Sequence, residues 1–192
     1  NSTVTSLVLT PMEGTIKLGA LKTFTLGNVS AGTLDLNGNS VALNQTQTAV
    51  GFTLLTGAGT FTNTSSSYYA TGTGSGTVTL SGNYAMASGT SSSFRMDNAA
   101  STMVFDGVLS GGTSTGTIAK SGNGTSFTIR LTGSLSNTFG GTWMANTWTT
   151  ELAKSAGAIA IPNDLTAIGG TLLWQGNEQI ADTSTWTVNG TP

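Results

Sequence analysis

The chain has 192 residues, which is enough for one domain with a sizeable hydrophobic core. Charged residues make up 7% of it and the formal net charge is -2, so it has no basic face to neutralise nucleic-acid phosphates or an anionic membrane surface. It contains neither Cys nor His, which excludes Cys or His metal sites, cysteine nucleophiles and Ser-His-Asp triads.

Short alternating runs that end in Gly recur along the chain. In each run, Thr or another polar residue alternates with an apolar residue, which gives one buried and one exposed face at the period of a β-strand. The Gly or Asn-Gly at the end supplies the positive φ of a tight bend. The runs are TFTLG (23–27), TLDLNG (33–38), TVTLSG (77–82), FTIRLTG (127–133), TLLWQG (171–176) and TWTVNG (185–190). We therefore predict an all-β protein built from many similar short strands.

Large apolar residues also recur at intervals of about 20 to 26 positions. They are Leu80, Phe105, Leu131, Leu152 and Leu172. This interval matches one coil of a three-sided β-solenoid, in which Leu131, Leu152 and Leu172 would stack inside successive coils. The residues alone leave open an antiparallel β-sandwich or jelly roll, whose strands are also short and which a donor strand from residues 3–9 of a neighbour would complete.

A longer pattern occupies residues 105–161. It opens with FDGVLSGG (105–112), continues with KSGNGT (120–125), and reaches LTGSLSNTFGGT (131–142). This stretch resembles the autotransporter-associated β-strand repeat, also called the passenger-associated transport repeat, of large exported bacterial proteins. The similar sequence extends in part to residue 190, whereas residues 1–104 show it only in places. We treat the whole chain, 1–192, as a single domain.

The resemblance implies a right-handed parallel β-helix, exported to the bacterial cell surface or into the extracellular space. The repeat is structural, with glycines at the corners, apolar side chains inside, and Asn side chains that stack from coil to coil. It implies no catalytic residue, cofactor or metal. Trp143, Trp148 and Trp174 stand where the family usually has small or aliphatic residues.

The distribution of acidic residues bears on whether the protein is an enzyme. Some β-helical proteins cleave polysaccharides with paired carboxylates, often with calcium. The eight acidic residues of this chain are scattered along it, as is typical of solvated turn residues. We therefore predict a protein that is not an enzyme, and we keep a carbohydrate-binding or polysaccharide-depolymerising β-helix as the alternative.

The aromatic residues allow two interpretations, a sugar-binding surface or packing in the core or at a subunit contact. Tyr68 and Tyr69 are neighbours in the polar stretch TNTSSSYYATGTGSG (62–76), and neighbours on a strand face opposite sides. At least one of these rings should be exposed, where it could stack on a surface glycan. The tryptophans, Trp186 included, lie in or beside strand-like runs, which favours core packing or a subunit contact.

Both ends of the predicted solenoid lack charge. The first charged residue is Glu13 and the last is Asp182, so neither terminal run has the gatekeeping charges that block strand edges. We expect one of two arrangements. Either the chain is a segment of a longer passenger protein, or Val4, Leu7 and Leu9 at one end, and Trp186 and Val188 at the other, pair with copies of the same chain. Such head-to-tail contacts build filaments, and a low-charge surface lets filaments approach one another. No apolar run reaches the roughly 20 residues of a membrane-spanning helix, so membrane insertion is not predicted. The sequence thus indicates an extracellular stalk, adhesin or filament subunit.

Overall fold

Every regular element that the structure describes is a short β-strand. The structure is a computed structural model, and it describes residues 7–9, 15–17, 26–29, 33–43, 54–63, 69–71, 77–86, 92–96, 101–113, 117–121 and 127–189. The strands are β1 (Leu7–Leu9), β2 (Thr15–Lys17), β3 (Leu26–Val29), β4 (Thr33–Asp35), β5 (Ser40–Leu43), β6 (Leu54–Thr56), β7 (Thr60–Asn63), β8 (Tyr69–Thr71), β9 (Thr77–Leu80), β10 (Asn83–Met86), β11 (Ser92–Met96), β12 (Ser101–Phe105), β13 (Leu109–Gly111), β14 (Thr117–Ser121), β15 (Phe127–Leu131), β16 (Thr142–Asn146), β17 (Thr149–Leu152), β18 (Leu165–Ile168), β19 (Thr171–Trp174) and β20 (Trp186–Asn189).

Three sheets build the solenoid. The described strands from β4 to β14 belong to all three of them, and those from β15 onward alternate between two. Sheet I has eight strands in the order β2-β4-β6-β9-β12-β15-β17-β19. Sheet II has the four strands β5-β7-β10-β13, and sheet III has the six strands β8-β11-β14-β16-β18-β20. Strands β1 and β3 form a further pair. Every pairing between these strands is parallel. The predicted parallel β-solenoid is therefore confirmed, and the antiparallel sandwich is wrong.

Alternation along each strand separates core from surface, as predicted. In β15, Phe127, Ile129 and Leu131 are buried, whereas Arg130 between them is exposed. A side-chain period of two places alternate residues on opposite faces of the sheet. The solenoid interior therefore receives the apolar residues of such alternating strands, and most of the polar residues between them face outward. Thr150 of β17 is an exception, because it is fully buried.

One apolar ladder runs through the whole of sheet I. Its members are register partners in successive strands, namely Ile16, Leu34, Leu55, Leu80, Phe105, Leu131, Leu152 and Trp174. The predicted recurrence of Leu80, Phe105, Leu131 and Leu152 is thereby confirmed, and these four side chains are at most 2% exposed.

The prediction that Leu172 continues this ladder is wrong. Trp174 lies opposite Leu152, and Leu172 lies opposite Thr150, which itself follows Ile129. The error is two residues, because alternate residues of a strand share a face and both positions point toward the core. Leu172 is partly buried against the core cluster.

Aromatic side chains fill the core where the sheets approach one another. The Trp143 ring centroid lies 5.8 Å from that of Phe139 and 5.9 Å from that of Trp148, which stacks on Phe127 at 5.8 Å. Trp143 Nε1 donates a hydrogen bond of 3.1 Å to Thr150 Oγ1. A hydroxyl in an otherwise aliphatic ladder thus satisfies the buried indole N–H. The tryptophans were predicted to pack in the core or to make a subunit contact. Trp143 and Trp148 pack in the core.

Asn137 joins three coils at one corner through hydrogen bonds to their backbone groups. Its Oδ1 accepts a hydrogen bond from Leu109 N at 2.9 Å, and its Nδ2 donates one to Ala160 O at 2.8 Å. Its backbone N donates to Ile159 O at 2.8 Å. The side chain, 2% exposed, therefore satisfies buried backbone groups of the coils on both sides.

Gly133 occupies a corner that no other residue fits. Its φ is +91°, and a Cβ there would collide with the backbone carbonyl oxygen of Asp106 in the neighbouring coil. Gly157 has a similar φ of +82° but open space around the Cβ position, so it is a matched control. We expect Gly157→Ala to cost about 1 kcal/mol for its left-handed backbone, and Gly133→Ala to cost roughly 3 kcal/mol more because the coils must separate locally. Urea denaturation measures both, and equal losses would contradict the packing described for Gly133.

Candidate functional site

The last described strands of the solenoid leave core positions partly exposed. Strands β19 and β20 are the last members of sheets I and III. Trp174 continues the ladder of Leu152, and Trp186 continues that of Leu165. Leu152 and Leu165 are 0% and 2% exposed, whereas Trp174 and Trp186 are 46% and 49% exposed. The two tryptophans occupy core positions of a coil that no further described strand covers.

Val188 belongs to the same face. It lies opposite Ala167, whose own partner, Ala145, is fully buried. Val188 is 72% exposed. The indole rings of Trp174 and Trp186 have centroids 5.2 Å apart with their planes at 40°. We call Trp174, Trp186 and Val188 the open end.

Exposed apolar area is concentrated around the open end. The large hydrophobic residues that are exposed in the described part of the chain are Leu135, Ile168, Leu173, Trp174, Trp186 and Val188. All of these except Leu135 lie on the last three strands, β18 to β20. A concentration of exposed large apolar residues on neighbouring strands is typical of an interaction site.

An open groove begins at Trp174 and follows the next corner of the chain. Its lining residues are Trp174, Gln175, Gly176, Asn177 and Glu178. Gln175, Asn177 and Glu178 are exposed, so the groove has one aromatic wall and several polar side chains. Glu178 has a left-handed backbone with φ of 55°, which is uncommon for a residue other than Gly, Asn or Asp.

Gln179 holds this corner rigidly from beneath. The side chain is fully buried. Its Oε1 accepts a hydrogen bond from Lys154 N at 2.8 Å, while its Nε2 donates to Lys154 O at 3.0 Å and to Asn177 O at 3.1 Å. The amide thus binds the backbone of the preceding coil as a further strand residue would, and it fixes the shape of the groove.

Lys154 follows strand β17 at the corner of the preceding coil, and the residue is only 3% exposed. Its Nζ donates hydrogen bonds to Thr132 O at 2.7 Å and to Gly107 O at 3.3 Å. The ammonium therefore links three successive coils. Burial lowers the pKa of Lys154 to about 8, although the nearby Asp106 carboxylate opposes the shift.

The stability of the protein should therefore rise with pH near pH 8. The folded chain releases the Lys154 proton near pH 8 and the unfolded chain near 10.5, so the unfolded state binds more protons in between. We expect the free energy of unfolding to increase by about 1 kcal/mol from pH 7 to pH 9. Denaturation at these two pH values checks this, and Lys154→Met should remove the increase. An equal increase in the variant would assign it to other groups.

The residues predicted for binding lie in different places. Val4 and Tyr68 are outside the described residues. Leu7 and Leu9 bound β1, and Tyr69 begins β8. Strand β8 ends sheet III on the side opposite β20, so the structure does not bring Tyr69 together with the open end.

Several residues at and near the open end were not predicted as site residues. Trp174 was expected to be a core or contact residue without being assigned to a site, and Lys154 and Gln179 were not singled out. The signal for Lys154 is that it is the one basic residue in the mostly apolar run ELAKSAGAIAI (151–161). Trp186 and Val188, predicted as edge residues, lie on β20 and are exposed.

Other kinds of site are not apparent in the described ranges. Within them no three His, Cys, Asp or Glu side chains lie close enough to hold a metal ion, and no helix has the length and apolar character to cross a membrane. No protein-family model, curated protein or solved structure matches the chain. The resemblance to the autotransporter-associated repeat stays a prediction.

Proposed function

We propose that this protein is a non-enzymatic, extracellular structural solenoid that associates end to end, as a surface stalk, adhesin or filament subunit. The observation that carries the proposal is the open end, where the core ladders of sheets I and III stop at half-exposed tryptophans. Association with another copy would bury these side chains, as each coil buries those of the coil before it.

The energetic gain from covering the open end is substantial. Each indole has about half of its surface exposed, and burying the remainder would remove on the order of 100 Å² per ring from water. At about 25 cal/mol per Å², each ring contributes roughly 2.5 kcal/mol before the cost of association is subtracted. Large aromatic residues of this kind are typical hot spots of protein interfaces.

The remaining surface suits a filament. Only 7% of the residues are charged, so neighbouring filaments would experience little electrostatic repulsion, while Thr, Ser and Asn keep the surface hydrated. The resemblance to an exported bacterial repeat supports a location at the cell surface or beyond it.

Sedimentation velocity and electron microscopy of the full chain at increasing concentration test this proposal. We expect elongated species that grow with concentration. Val188→Lys should reduce their length strongly, because it places a charge on the open end. Leu135→Lys is the matched control, since Leu135 is 64% exposed but lies away from the open end. A chain that stays monomeric at high concentration would overturn the proposal.

Carbohydrate binding is a second candidate, favoured by the groove. An indole face flanked by amide side chains, as at Trp174 and Asn177, can stack on a sugar ring and hydrogen-bond its hydroxyls. Glu178 is the one carboxylate among the lining residues, so the groove supports binding better than cleavage, which uses two. A glycan array tests this candidate, with Asn177→Ala as a variant that should lose binding without affecting self-association through Val188.

A further inference from the structure

We infer that the outer face of sheet I binds a neutral, linear, β-linked polysaccharide along a row of threonines. Five successive strands of this sheet have Thr at the same register position. These residues are Thr77, Thr102, Thr128, Thr149 and Thr171. Thr77 and Thr171 are exposed, and the three between them are partly exposed. We call the five residues the threonine row. The row is separate from the groove at Trp174, and the inference does not depend on end-to-end association.

The strand propensity of Thr does not account for the row. A second outward column lies two residues further along the same five strands. It consists of Thr79, Val104, Arg130, Glu151 and Leu173. Propensity acts equally on both outward columns of a strand, so it would place Thr in both. Thr instead fills every position of one column and one position of the other, and the repetition is specific to the row.

The hydroxyl groups of the row are available to a ligand. Within the described part of the chain, none of the five hydroxyls takes part in a hydrogen bond. By contrast, Thr132 Oγ1 at a nearby corner donates to Asp106 Oδ1 at 2.8 Å. A Thr hydroxyl donates one hydrogen bond and accepts two, as a sugar hydroxyl does. The branched Cβ restricts χ1, so the row presents ordered hydroxyls at the spacing of strands, about 4.8 Å.

Charge and shape beside the row select the kind of ligand. The outward charged residues of these five strands are Arg130 and Glu151, which form an ion pair with Nε and Oε2 2.6 Å apart. The face therefore has no net charge to attract a polyanion. Arg130 and Leu173 are larger than Thr and exposed, so they would hold a flat crystalline surface away from the Thr hydroxyls. A single extended chain can lie along the row beside them.

A polysaccharide chain parallel to the solenoid axis matches the row in its repeat. An extended β-1,4-linked chain advances per sugar by nearly the distance between adjacent strands, so successive sugars meet successive threonines. Their hydroxyls exchange hydrogen bonds with those of Thr, and their C–H groups contact the Thr methyl groups. Glu151 fixes Nε of Arg130, which leaves the outer guanidinium N–H groups to donate to the sugar beside Thr128. Each contact is weak, and affinity comes from contacts made by several coils at once.

Isothermal titration calorimetry of the full chain with oligosaccharides of increasing length tests the inference. The probes are the cello-oligosaccharides from the disaccharide to the pentasaccharide, which are neutral and β-1,4-linked. Maltopentaose, with the same sugars in α-linkage, is the control. We expect the dissociation constant to fall at each step of length, because each added sugar meets another Thr. Maltopentaose should bind roughly tenfold more weakly than cellopentaose, because its curved chain leaves the row and loses hydrogen bonds.

Thr128→Val removes one hydroxyl of the row and keeps the branched side chain. We expect it to weaken cellopentaose binding about fivefold, the effect of one lost hydrogen bond. Thr166→Val is the matched control, because Thr166 lies opposite Met144 on the outward face of sheet III. This variant should bind like the parent. Circular dichroism during urea denaturation checks that both variants are folded.

Several results would overturn the inference. They are no binding of any cello-oligosaccharide, an affinity that does not change with length, and equal losses in Thr128→Val and Thr166→Val. Binding that Asn177→Ala abolishes and Thr128→Val leaves intact would also overturn it, because the sugar would then lie in the groove. Sedimentation of the same variants reports end-to-end association separately, so a failure of the threonine row leaves that proposal standing.

Discussion

Replacing Leu131 by Asp is expected to unfold the protein or to leave it barely stable. Leu131 is fully buried and lies between Phe105 and Leu152 in the ladder of sheet I. The change would remove a buried aliphatic side chain, which costs roughly 2 kcal/mol, and would place an unpaired carboxylate in the core, at a cost of several kcal/mol more. Single domains are stable by only about 5–15 kcal/mol. Circular dichroism during urea denaturation measures the loss.

Leu135 provides the matched control for this prediction. It is 64% exposed and lies only four residues further along the chain, so Leu135→Asp makes the same chemical change at the surface. We expect the free energy of unfolding of this variant to stay within about 0.5 kcal/mol of the parent. If Leu131→Asp denatured at the same urea concentration as the Leu135 variant, the inward assignment of the whole ladder would be wrong.

Asn137→Ala is expected to lower the free energy of unfolding by about 4 kcal/mol. The change leaves Leu109 N–H and Ala160 C=O without their partners in a region shielded from water. Each unsatisfied buried group costs about 1–3 kcal/mol. Asn137→Asp should be no better, because its carboxylate can still accept from Leu109 N but repels the carbonyl oxygen of Ala160. Thermal and urea denaturation measure both variants.

An exposed asparagine separates this corner effect from a general loss of Asn. Asn177 lies in the groove and is exposed, so Asn177→Ala should change the free energy of unfolding by less than about 0.5 kcal/mol. A loss below about 1 kcal/mol for Asn137→Ala would mean that water replaces the side chain at this corner, and the three coils would not depend on it.

The fold was predictable because a solenoid repeats its core positions. A residue such as Leu80 recurs as Phe105 and then as Leu131, so the interval between apolar residues reveals the coil. The misplaced Leu172 shows where this reasoning stops. Leu172 and Trp174 are both apolar and share one face of β19, so the alternating pattern cannot decide which of them continues a given ladder.

The hydrogen bonds of Gln179 and Lys154 at the corners near the open end were not predictable for a different reason. Gln179 and Lys154 meet across 25 positions of sequence, and Lys154 reaches Gly107 across 47. These separations are about one and two coils, but the residue types at the corners do not recur from coil to coil as the apolar strand residues do, so the sequence pattern does not indicate either contact. The edge residues Trp186 and Val188 could be proposed from sequence, since a terminal run without charge is itself the signal of an unprotected edge.

The interval between strands of sheet I is not constant. Successive partners are 18 residues apart from Ile16 to Leu34 and 26 apart from Phe105 to Leu131, yet the parallel register continues through both. The longer interval contains strand β13 of sheet II, whereas no strand of sheet II is described between Ile16 and Leu34. The stack thus accepts coils of different length, and the free energy of closing a longer loop rises only slowly with its length. The architecture is therefore permissive to insertion. Each corner is a place where natural variation, or a protein engineer, can add a peptide and display it on the outside of the coil while the stacked interior stays as it is.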